Sequence, residues 1–393
     1  MSDDQQTHNE FLKLLPQTSA NTPMGRLLRR FWHPVARSTD VGPGTAITIR
    51  RFGEDLTLYR GESGKPYLIG GRCAHRRTLL HTGWVQGEEI RCMFHGWKYA
   101  GTGQCVERPA ERDKGLPAVK IPGYPTQEYC GMIFAYLGQG EPPKFDLPRK
   151  PPFEVPGAVL YPRIELWNCN WFQQVEISLD PVHVSFVHRI GTVGTFGAAV
   201  NETIPVLANA ETEAGIRQSA TRSKNSVRVS DWTFPNANHV RSPGLATDDP
   251  WLDVGVWNVP IDDHSTIRFL LYVAPPGNPE FQARIKHYMD EIGDYDPAQF
   301  HEELVNGRKY PVDDVALKLT NAQDYVAIIG QGVIYDRENE TLGLSDTGIA
   351  LLRRLFRREL DAQEVGQPLK QWHSLEEAAH LPTQVSEPEM AEA

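Results

Sequence analysis

The stretch from Cys73 to His95 contains two short ligand patterns, Cys73-Ala-His75 and, after sixteen further residues, Cys92-Met-Phe-His95. An Fe2S2 cluster needs two cysteines and two histidines in two short hooks when thiolates bind one iron and imidazoles bind the other. Neutral imidazoles leave less negative charge on the cluster than thiolates do, so the reduction potential of the cluster rises. The pattern therefore predicts an electron carrier.

A tetrahedral zinc site and chance placement are the two alternative interpretations of these four residues. Zinc hooks usually place two to four residues between their paired ligands, whereas only Ala74 separates Cys73 from His75. Chance is disfavoured because all four potential ligands have the spacing of a cluster motif. The spacing favours the iron-sulfur cluster.

Composition restricts the remaining classes of function. The 393 residues carry 40 Lys and Arg against 50 Asp and Glu, a net charge of -10, which disfavours binding to nucleic acid or anionic lipid. Residues 1–10 lack the basic start and apolar middle of a signal peptide, and no apolar run is long enough to cross a membrane. The five cysteines are odd in number and too few for a disulfide framework. We expect a cytoplasmic protein without a membrane or nucleic-acid partner.

The pattern of apolar residues predicts an α+β protein with two main domains. Short β-type runs separated by Gly and Pro fill residues 34–147, and a proline-rich linker follows at 142–152. Beyond it, strand-like runs in 203–273 alternate with helical patterns, so we expect an antiparallel sheet flanked by helices. The predicted helices cover Trp167 to Leu179, Pro297 to Val305, and Ser345 to Leu360 with Ser345 as N-cap. The predicted domains are an N-terminal helical segment packed on the larger domain (1–33), a small all-β domain (34–150), a larger catalytic domain (151–380) and a flexible tail (381–393).

A second set of potential metal ligands begins at His183 and His188. Two imidazoles and one carboxylate can bind one face of Fe(II) and leave positions open for dioxygen. The candidate carboxylates lie later in the chain, at Asp313, Asp314 and Asp324. Either histidine alone would more often be an ordinary core or surface side chain. The pair, located downstream of a cluster motif, indicates a mononuclear iron site.

The helical pattern that carries these histidines is expected to be interrupted. On a straight helix His183 and His188 would point about 140° apart, too far to share one ion. Pro181 cannot donate a hydrogen bond to the carbonyl of Ile177 and clashes with it. We therefore predict a broken or bulged helix between Asp180 and His188.

These motifs together resemble the Rieske non-heme iron oxygenases. In that family the two hooks are followed, as here, by Gly96-Trp97 and Tyr99, and Asp180 to His188 has the family spacing Asp-x-x-His-x4-His. Neither hook carries the additional disulfide cysteine of respiratory Rieske proteins. Further similarity covers nearly the whole chain and is closest to the phthalate dioxygenase branch, which includes ring-hydroxylating dioxygenases and aromatic O-demethylases. The segments that carry this similarity are 29–35, 257–266 and 336–346.

The resemblance implies cofactors and roles for individual residues. It implies a Rieske Fe2S2 cluster held by Cys73, His75, Cys92 and His95, and a mononuclear Fe(II) held by His183, His188 and Asp324, with dioxygen as cosubstrate. Asp180 would bridge His95 of one subunit to His183 of the next in a head-to-tail homotrimer or in stacked trimers. A plain helix-terminating aspartate is the alternative. Glu176 stands where some relatives carry Asn, which leaves the outer partner of the iron open.

The same resemblance implies an aromatic substrate, usually an anionic one. A carboxylate is best held by a bidentate arginine in a partly dry pocket. Candidates in the catalytic domain are Arg217, Arg222, Arg228 and Arg241, although any one of them alone would more often be an ordinary surface arginine. The expected activity is hydroxylation or O-demethylation of a small aromatic acid, as a step of aromatic catabolism.

Electrons must come from another protein. The chain has no Gly-x-Gly-x-x-Gly fingerprint between a strand and a helix, so NAD(P)H would act only through a separate reductase, with or without a ferredoxin. The rival hypotheses are a non-catalytic Rieske electron-transfer protein and a colourless zinc-stabilised binding module. The first rival predicts two irons per chain, whereas an oxygenase predicts three.

Overall fold

The computed structural model describes residues 3–111, 117–188, 203–223, 226–242, 244–245, 249–292, 316–375 and 384–385. The chain divides into two units, which we call the small unit (17–145 and 259–262) and the large unit (1–16, 146–258 and 263–393). The boundaries of the functional domains stay a prediction. The structural division between the two units lies after residue 145, five residues before the predicted domain boundary at 150. Residues 17–33 fall in the small unit, not with an N-terminal segment of the larger domain.

The anchoring of helix α2 (Pro23–Leu28) explains this placement. The Thr22 side chain caps the helix by accepting from Gly25 N, and the next residue after the helix, Arg29, is buried. The Arg29 guanidinium donates to the carbonyl of Phe52 at 2.9 Å and pairs with Glu54 at 2.7 Å. Both partners belong to the small unit, so the N-terminal segment is divided between the two units.

The small unit consists of antiparallel sheets, as the alternating short runs predict. The strand orders are β1-β11-β10, β2-β3-β4-β9 and β5-β6-β7-β8. In the β2–β3 hairpin, Phe52 and Gly53 have φ of 51° and 76°, so the connection is a tight turn of the kind that matches strand twist. The strands are β1 Trp32–Arg37, β2 Ala46–Arg51, β3 Glu54–Arg60, β4 Pro66–Gly70, β5 Trp84–Gln86, β6 Glu89–Arg91, β7 Lys98–Ala100, β8 Cys105–Glu107, β9 Gly123–Tyr124, β10 Thr126–Tyr129 and β11 Met132–Tyr136.

One large sheet dominates the large unit, with strand order β12-β18-β17-β16-β15-β14-β13 and β19 paired to β15. The pairs with a described register are antiparallel, so the predicted α+β class is confirmed. Residues 259–262, at the end of β17, belong to the small unit. The strands are β12 Val159–Trp167, β13 Val206–Glu211, β14 Gly215–Ser223, β15 Ser226–Thr233, β16 Ala237–Ser242, β17 Leu252–Asp262, β18 Ser265–Ala274 and β19 Gln384–Val385.

Six helices of the large unit lie within the described residues. They are α1 Asp3–Leu14, α3 Trp171–Ile177, α4 Val184–Val187, α5 Pro279–Ile292, α6 Ala316–Ile329 and α7 Thr347–Glu364. None of the described helices is both long and apolar enough to cross a bilayer. The predicted helix at 297–305 lies outside the described residues. The predicted tail contains β19, while the rest of 381–393 is outside the description.

The predicted bounds of two helices are wrong at both ends. The first ends at Ile177 instead of Leu179, and the second at Glu364 instead of Leu360. The helix expected from Trp167 begins at Trp171, because Trp167 pairs with Thr266 as the last residue of β12, and Asn170 then caps the helix through Phe172 N. The helix expected with Ser345 as N-cap begins at Thr347, because a 3₁₀ turn occupies residues 344–346. In both cases a neighbouring element takes the residues that the helical pattern had included.

Candidate metal centres

The two hooks of the small unit have the same backbone geometry. In each, the cysteine amide donates to the carbonyl five residues later, and the cysteine carbonyl accepts from the amide four residues later, at 2.8 to 3.0 Å. The residue four positions after each cysteine, Arg77 or Gly96, has a left-handed φ of 64° or 74°. The sequence thus places Cys73 and Cys92 in two matched turns, as a pair of cluster hooks requires.

The cysteines of both hooks are buried, each only 1% exposed. They belong to the core of the small unit together with Tyr99. The Tyr99 hydroxyl accepts from Ala74 N at 3.0 Å and lies 3.2 Å from Sγ of Cys73, so its proton is directed to the sulfur. Burial raises the pKa of the Cys92 thiol, while the amides of Phe94 and His95 act in the opposite direction. An iron cluster binds thiolates, so bound iron would have to offset this cost of burying the charge.

The histidines of both hooks are exposed, in contrast to the cysteines. The rings of His75 and His95 are 4.6 Å apart, and Trp97 stacks on His75 at 4.8 Å. Exposed Met93 and Phe94 lie between the second cysteine and its histidine. The donor set is therefore arranged with two sulfurs in the core and two imidazoles at the surface, which suits electron exchange with another protein.

The second candidate centre lies where α3 stops. The helix ends at Ile177 and the chain turns helical again only at Val184, so the predicted break is confirmed, with its start slightly before Asp180. Asp180 Oδ1 accepts from the amides of Val182 and His183 at 3.1 and 3.3 Å. These bonds turn the chain into α4, which places His183 before the short helix and His188 after it.

The structure brings His183, His188 and Asp324 together. One ligand atom from each lies within 4.8 Å of the others, and this is the only such cluster of three metal-binding groups in the described part of the chain. Asp324 Oδ1 is 3.2 Å from Nε2 of His188 and 3.7 Å from Nε2 of His183. The competing candidates Asp313 and Asp314 lie outside the described residues.

The donor chemistry of this cluster fits a divalent metal ion. Burial opposes ionisation of Asp324, but His188, His183 and Arg268 outweigh it and hold the pKa of the carboxyl below its usual range. Oδ1 of Asp324 is buried and accepts no hydrogen bond from the described residues. Two imidazoles and an ionised carboxylate that face one point can bind Fe(II) and leave open positions.

Asp180 lies beside this cluster without being part of it. Its Oδ2 is 3.6 Å from Nδ1 of His183, on the opposite side of the ring from Nε2. Burial raises the pKa of Asp180, but His183 and two backbone amides reverse the effect and lower it overall. An ionised carboxylate in this position can orient the imidazole through its outer nitrogen.

The four candidate substrate arginines fall into two groups. Arg217 pairs with Asp231 at 2.8 Å, and Arg241 lies 3.8 Å from Asp253. Arg222 instead reaches the carbonyl of Pro181 at 3.4 Å. Among the described residues no carboxylate pairs with Arg222 or with Arg228.

The sequence did not identify the contacts of Glu176. Its buried carboxylate binds two arginines, with Oε2 2.6 Å from Arg337 and Oε1 2.6 Å from Arg353, and Arg353 also binds Glu340. The carboxylate of Glu176 is therefore engaged by two arginines. The sequence also does not identify the contacts of Gln173, one turn earlier, which bonds to Ile328 in α6 and to Gly332 after it. The only signal was the spacing by three of the polar residues 170, 173 and 176.

Comparison with known proteins agrees with both centres. The model of the Rieske [2Fe-2S] domain matches residues 31–125. The chain is 30% identical to the 5,5'-dehydrodivanillate O-demethylase oxygenase subunit of Sphingobium sp. (strain NBRC 103272 / SYK-6), over 91% of this chain and 81% of that protein. It is 33% identical to the phenoxybenzoate dioxygenase subunit alpha of Ectopseudomonas oleovorans, over 90% and 86%. The solved structure of Pseudomonas putida CBB5 NdmA shares the fold, with a TM-score of 0.65 at 19% identity over 86% of this chain and 92% of that one.

These relatives are oxygenase components, so the non-catalytic alternative is not supported. The family uses a Rieske cluster, a mononuclear iron and dioxygen, and its oxygenases work with separate electron-transfer partners. The chain belongs to the Rieske non-heme iron oxygenases, in the phthalate dioxygenase-like branch, as a terminal oxygenase subunit.

Proposed function

We propose that this oxygenase hydroxylates or O-demethylates an aromatic carboxylate. The observation that carries the substrate class is the pair Arg222 and Arg228, which have no carboxylate partner among the described residues. Burial, followed by the charge of Arg222, lowers the pKa of Arg228 to about 10, and burial lowers that of Arg222. Two partly buried cations without an anion favour the binding of an anionic ligand.

The register of the sheet supports this choice over the other two arginines. Arg228 is paired with Ala220, so it projects from the face of the sheet that carries Ala220. Arg222 lies in the bulge of β14 between Thr221 and Ser223, and its charge acts on Arg228. Gln218 on the same face donates to the carbonyl of Leu179 at 2.9 Å. The face therefore contacts the segment between α3 and α4 that carries Asp180 and His183.

The ligand assignments follow from the donor sets. Cys73, His75, Cys92 and His95 would hold the Rieske cluster, and His183, His188 and Asp324 would hold the iron. Iron with open positions supplies the chemistry that activates dioxygen. The protein contributes the orientation of His183 by Asp180, the negative charge of Asp324, and the two arginines that hold the substrate carboxylate.

For electron transfer we propose a path from His95 of one subunit through Asp180 to His183 of the next, in a head-to-tail trimer. Charge supports such an assembly, because the small unit carries 18 basic and 12 acidic residues, whereas the large unit carries 22 and 38. A basic unit and an acidic unit attract each other between subunits. A separate reductase, with or without a ferredoxin, would supply electrons from NAD(P)H. No disulfide joins any of the five cysteines, which favours the reducing cytoplasm.

The test is a product analysis with the purified, iron-loaded protein. The cluster is reduced, the protein is exposed to ¹⁸O-labelled dioxygen, and a panel of aromatic acids is offered, which includes phthalates, methoxybenzoates, phenoxybenzoate and 5,5'-dehydrodivanillate. Each acid is matched with its methyl ester as an uncharged control. Mass spectrometry then counts the labelled atoms in each product.

We expect at least one acid, but not its ester, to be converted. Two labelled atoms in a diol identify a dioxygenase, whereas one labelled atom or release of formaldehyde identifies a monooxygenase or demethylase. Equal conversion of acids and esters would contradict the role of the arginines. No product from any acid, with the cluster reduced and the iron site filled, would contradict the substrate class.

A further inference from the structure

The histidines and the carboxylate of the triad come from two separate segments of the chain. His183 and His188 follow α3, whereas Asp324 lies within α6. Three ligand atoms can lie within 4.8 Å of one another only if α3 and α6 are held at one separation. Errors of about half an ångström in the position of ligands are sufficient to impair a site. Some contact must therefore fix the two helices relative to each other.

Ile177 of α3 packs against the apolar cluster that contains Tyr325 and Ile328 of α6, and Gln173 adds the directional contact. This glutamine lies on α3 and is 2% exposed. Its Nε2 donates to the carbonyl of Ile328 at 3.3 Å and to that of Gly332 at 3.0 Å. Its Oε1 accepts from Tyr335 N at 3.1 Å. Ile328 is one helical turn after Asp324, so a single side chain joins the helix before the histidines to the helix that carries the carboxylate.

The same face of α3 carries two further contacts to the chain that follows α6. Asn170 N donates to the carbonyl of Val333 at 2.8 Å, and Glu176 binds Arg337. Residues 170, 173 and 176 are spaced by three, so they form one stripe on the helix. Of the three, only Gln173 bonds to α6 itself. The amide of Gln173 also satisfies two backbone acceptors and one backbone donor in a buried setting. An apolar replacement would leave Ile328, Gly332 and Tyr335 without that partner.

We propose that Gln173 is a positioning residue, which sets the distance between the histidine segment and Asp324 and thereby the metal affinity of the triad. The inference rests on the proposed assignment of the triad as the iron site. Residues that orient metal ligands from outside typically change metal affinity by about 10- to 100-fold when they are replaced.

Gln174 provides a matched control on the same helix. It is also a buried glutamine, 1% exposed, and its Nε2 contacts Sγ of Cys169 at 3.4 Å. No side-chain bond from Gln174 to α6 is present in the described structure. Gln174→Met therefore makes the same chemical change as Gln173→Met and should cause a similar general loss of stability. It leaves the hydrogen bond between Gln173 and α6 in place.

The experiment measures Fe(II) affinity in the full chain with its Rieske cluster intact. The mononuclear site is emptied with a chelator, and Fe(II) is titrated anaerobically in competition with a fluorescent chelator. The proteins are wild type, Gln173→Met, Gln173→Asn, Gln174→Met and His183→Ala. The cluster spectrum and the melting temperature of each variant are recorded as measures of folding.

We expect Gln173→Met to weaken Fe(II) binding by about 10- to 100-fold and Gln174→Met by less than about twofold, at similar melting temperatures and with unchanged cluster spectra. Gln173→Asn keeps the amide on a side chain one methylene shorter and should lose affinity to an intermediate degree. If Gln173→Met does not fold, the affinity of Gln173→Asn is compared with that of wild type and Gln174→Met instead.

Equal affinities for the Gln173 and Gln174 variants would overturn the positioning role, as would a Gln173→Asn protein that binds like wild type. His183→Ala separates this failure from failure of the site itself. If His183→Ala binds Fe(II) as tightly as wild type, the triad is not the iron site, and the inference falls together with that assignment.

Discussion

Arg222 and Arg228 can be distinguished experimentally from the two arginines that already have carboxylate partners. Replacing either by Gln should raise the KM for a carboxylated substrate by about 10- to 100-fold, since a hydrogen bond to a charged group contributes about 1.5 to 3 kcal/mol. Arg241→Gln is the control, because its neighbour Asp253 keeps a 2.9 Å bond to His239. Steady-state kinetics on an acid and its methyl ester measures the effect. A KM for the acid that Arg222→Gln and Arg228→Gln leave unchanged would exclude this site.

Tyr99 should influence the cluster through its contact with Cys73. A hydrogen bond to a cluster sulfur stabilises the reduced, more negative state, so Tyr99→Phe should lower the reduction potential by tens of millivolts. Tyr59→Phe is the control, because Tyr59 lies in the same core but donates to the carbonyl of Glu88. A redox titration followed by absorbance gives both values. A potential that falls equally in both variants would point to general packing instead of the sulfur contact.

Individual residues differ in how far the sequence predicts them. Cys73 and His75 are separated by one residue in a hook, so their spacing alone indicates the ligand chemistry. Asp180 and His183 are likewise close in sequence, and Pro181 between them predicts the break. The partners of Glu176 are 161 and 177 residues away, so no local pattern reports them. The assignment of ligands remains a prediction for the experiments above, although the geometry of the triad agrees with it.

The buried ion pairs of Glu176 join three elements: α3, the segment that contains Arg337 and Glu340, and α7 with Arg353. Glu176→Gln would leave two buried guanidinium groups without their shared carboxylate, which should cost about 3 to 5 kcal/mol of unfolding free energy. Denaturant unfolding of the large unit measures the loss. Glu211→Gln is the control, because Glu211 pairs with Arg358 and Lys370 at a more exposed position. Equal losses of unfolding free energy in both variants would show that burial does not increase the cost of removing the shared carboxylate.

The same carboxylate should make stability depend on pH in one direction. Burial raises the pKa of Glu176, but Arg337 and Arg353 outweigh burial and lower it below its ordinary value of 4.5. The unfolded chain therefore binds the proton more readily than the folded chain. The stabilisation is present above about pH 4.5 and is lost as the pH falls through the lower folded value. Glu176→Gln should remove this part of the acid dependence, which unfolding curves between pH 3 and 7 would show.

At the scale of elements, sequence patterns identify strands and interruptions better than helix ends. The runs around Ile47, Leu58 and Leu68 are short, apolar and bounded by Gly or Pro, and they form β2, β3 and β4 as predicted. The predicted start of α3 was wrong because Trp167 pairs with Thr266, which lies on a strand about 100 residues later. Such pairings override local helical periodicity.

For the whole molecule, the proposed path between subunits predicts that two inactive variants complement each other. Cys92→Ser should remove the cluster but leave the iron site. Asp180→Asn should leave both the cluster and the iron site, but should remove the bridge that delivers electrons to the iron of the same subunit. In a head-to-tail ring, an Asp180→Asn subunit can pass electrons from its cluster to a Cys92→Ser neighbour, whose Asp180 is intact. Every trimer that contains both variants has one junction of this order among its three, so mixed trimers should recover about a third of wild-type activity.

Differently tagged chains, purified through both tags in sequence, ensure that every measured assembly contains both variants. The homo-oligomers of each variant are the inactive references, and iron content near one and near three per chain shows that each variant retains the intended centres. A second mixture, Cys92→Ser with Cys73→Ser, serves as the matched control, because no subunit in it has a cluster. A path within each chain would leave the first mixture as inactive as this control, since none of its chains combines a cluster with the bridge. Recovery only in the first mixture requires electrons to pass from the cluster of one subunit to the iron of another.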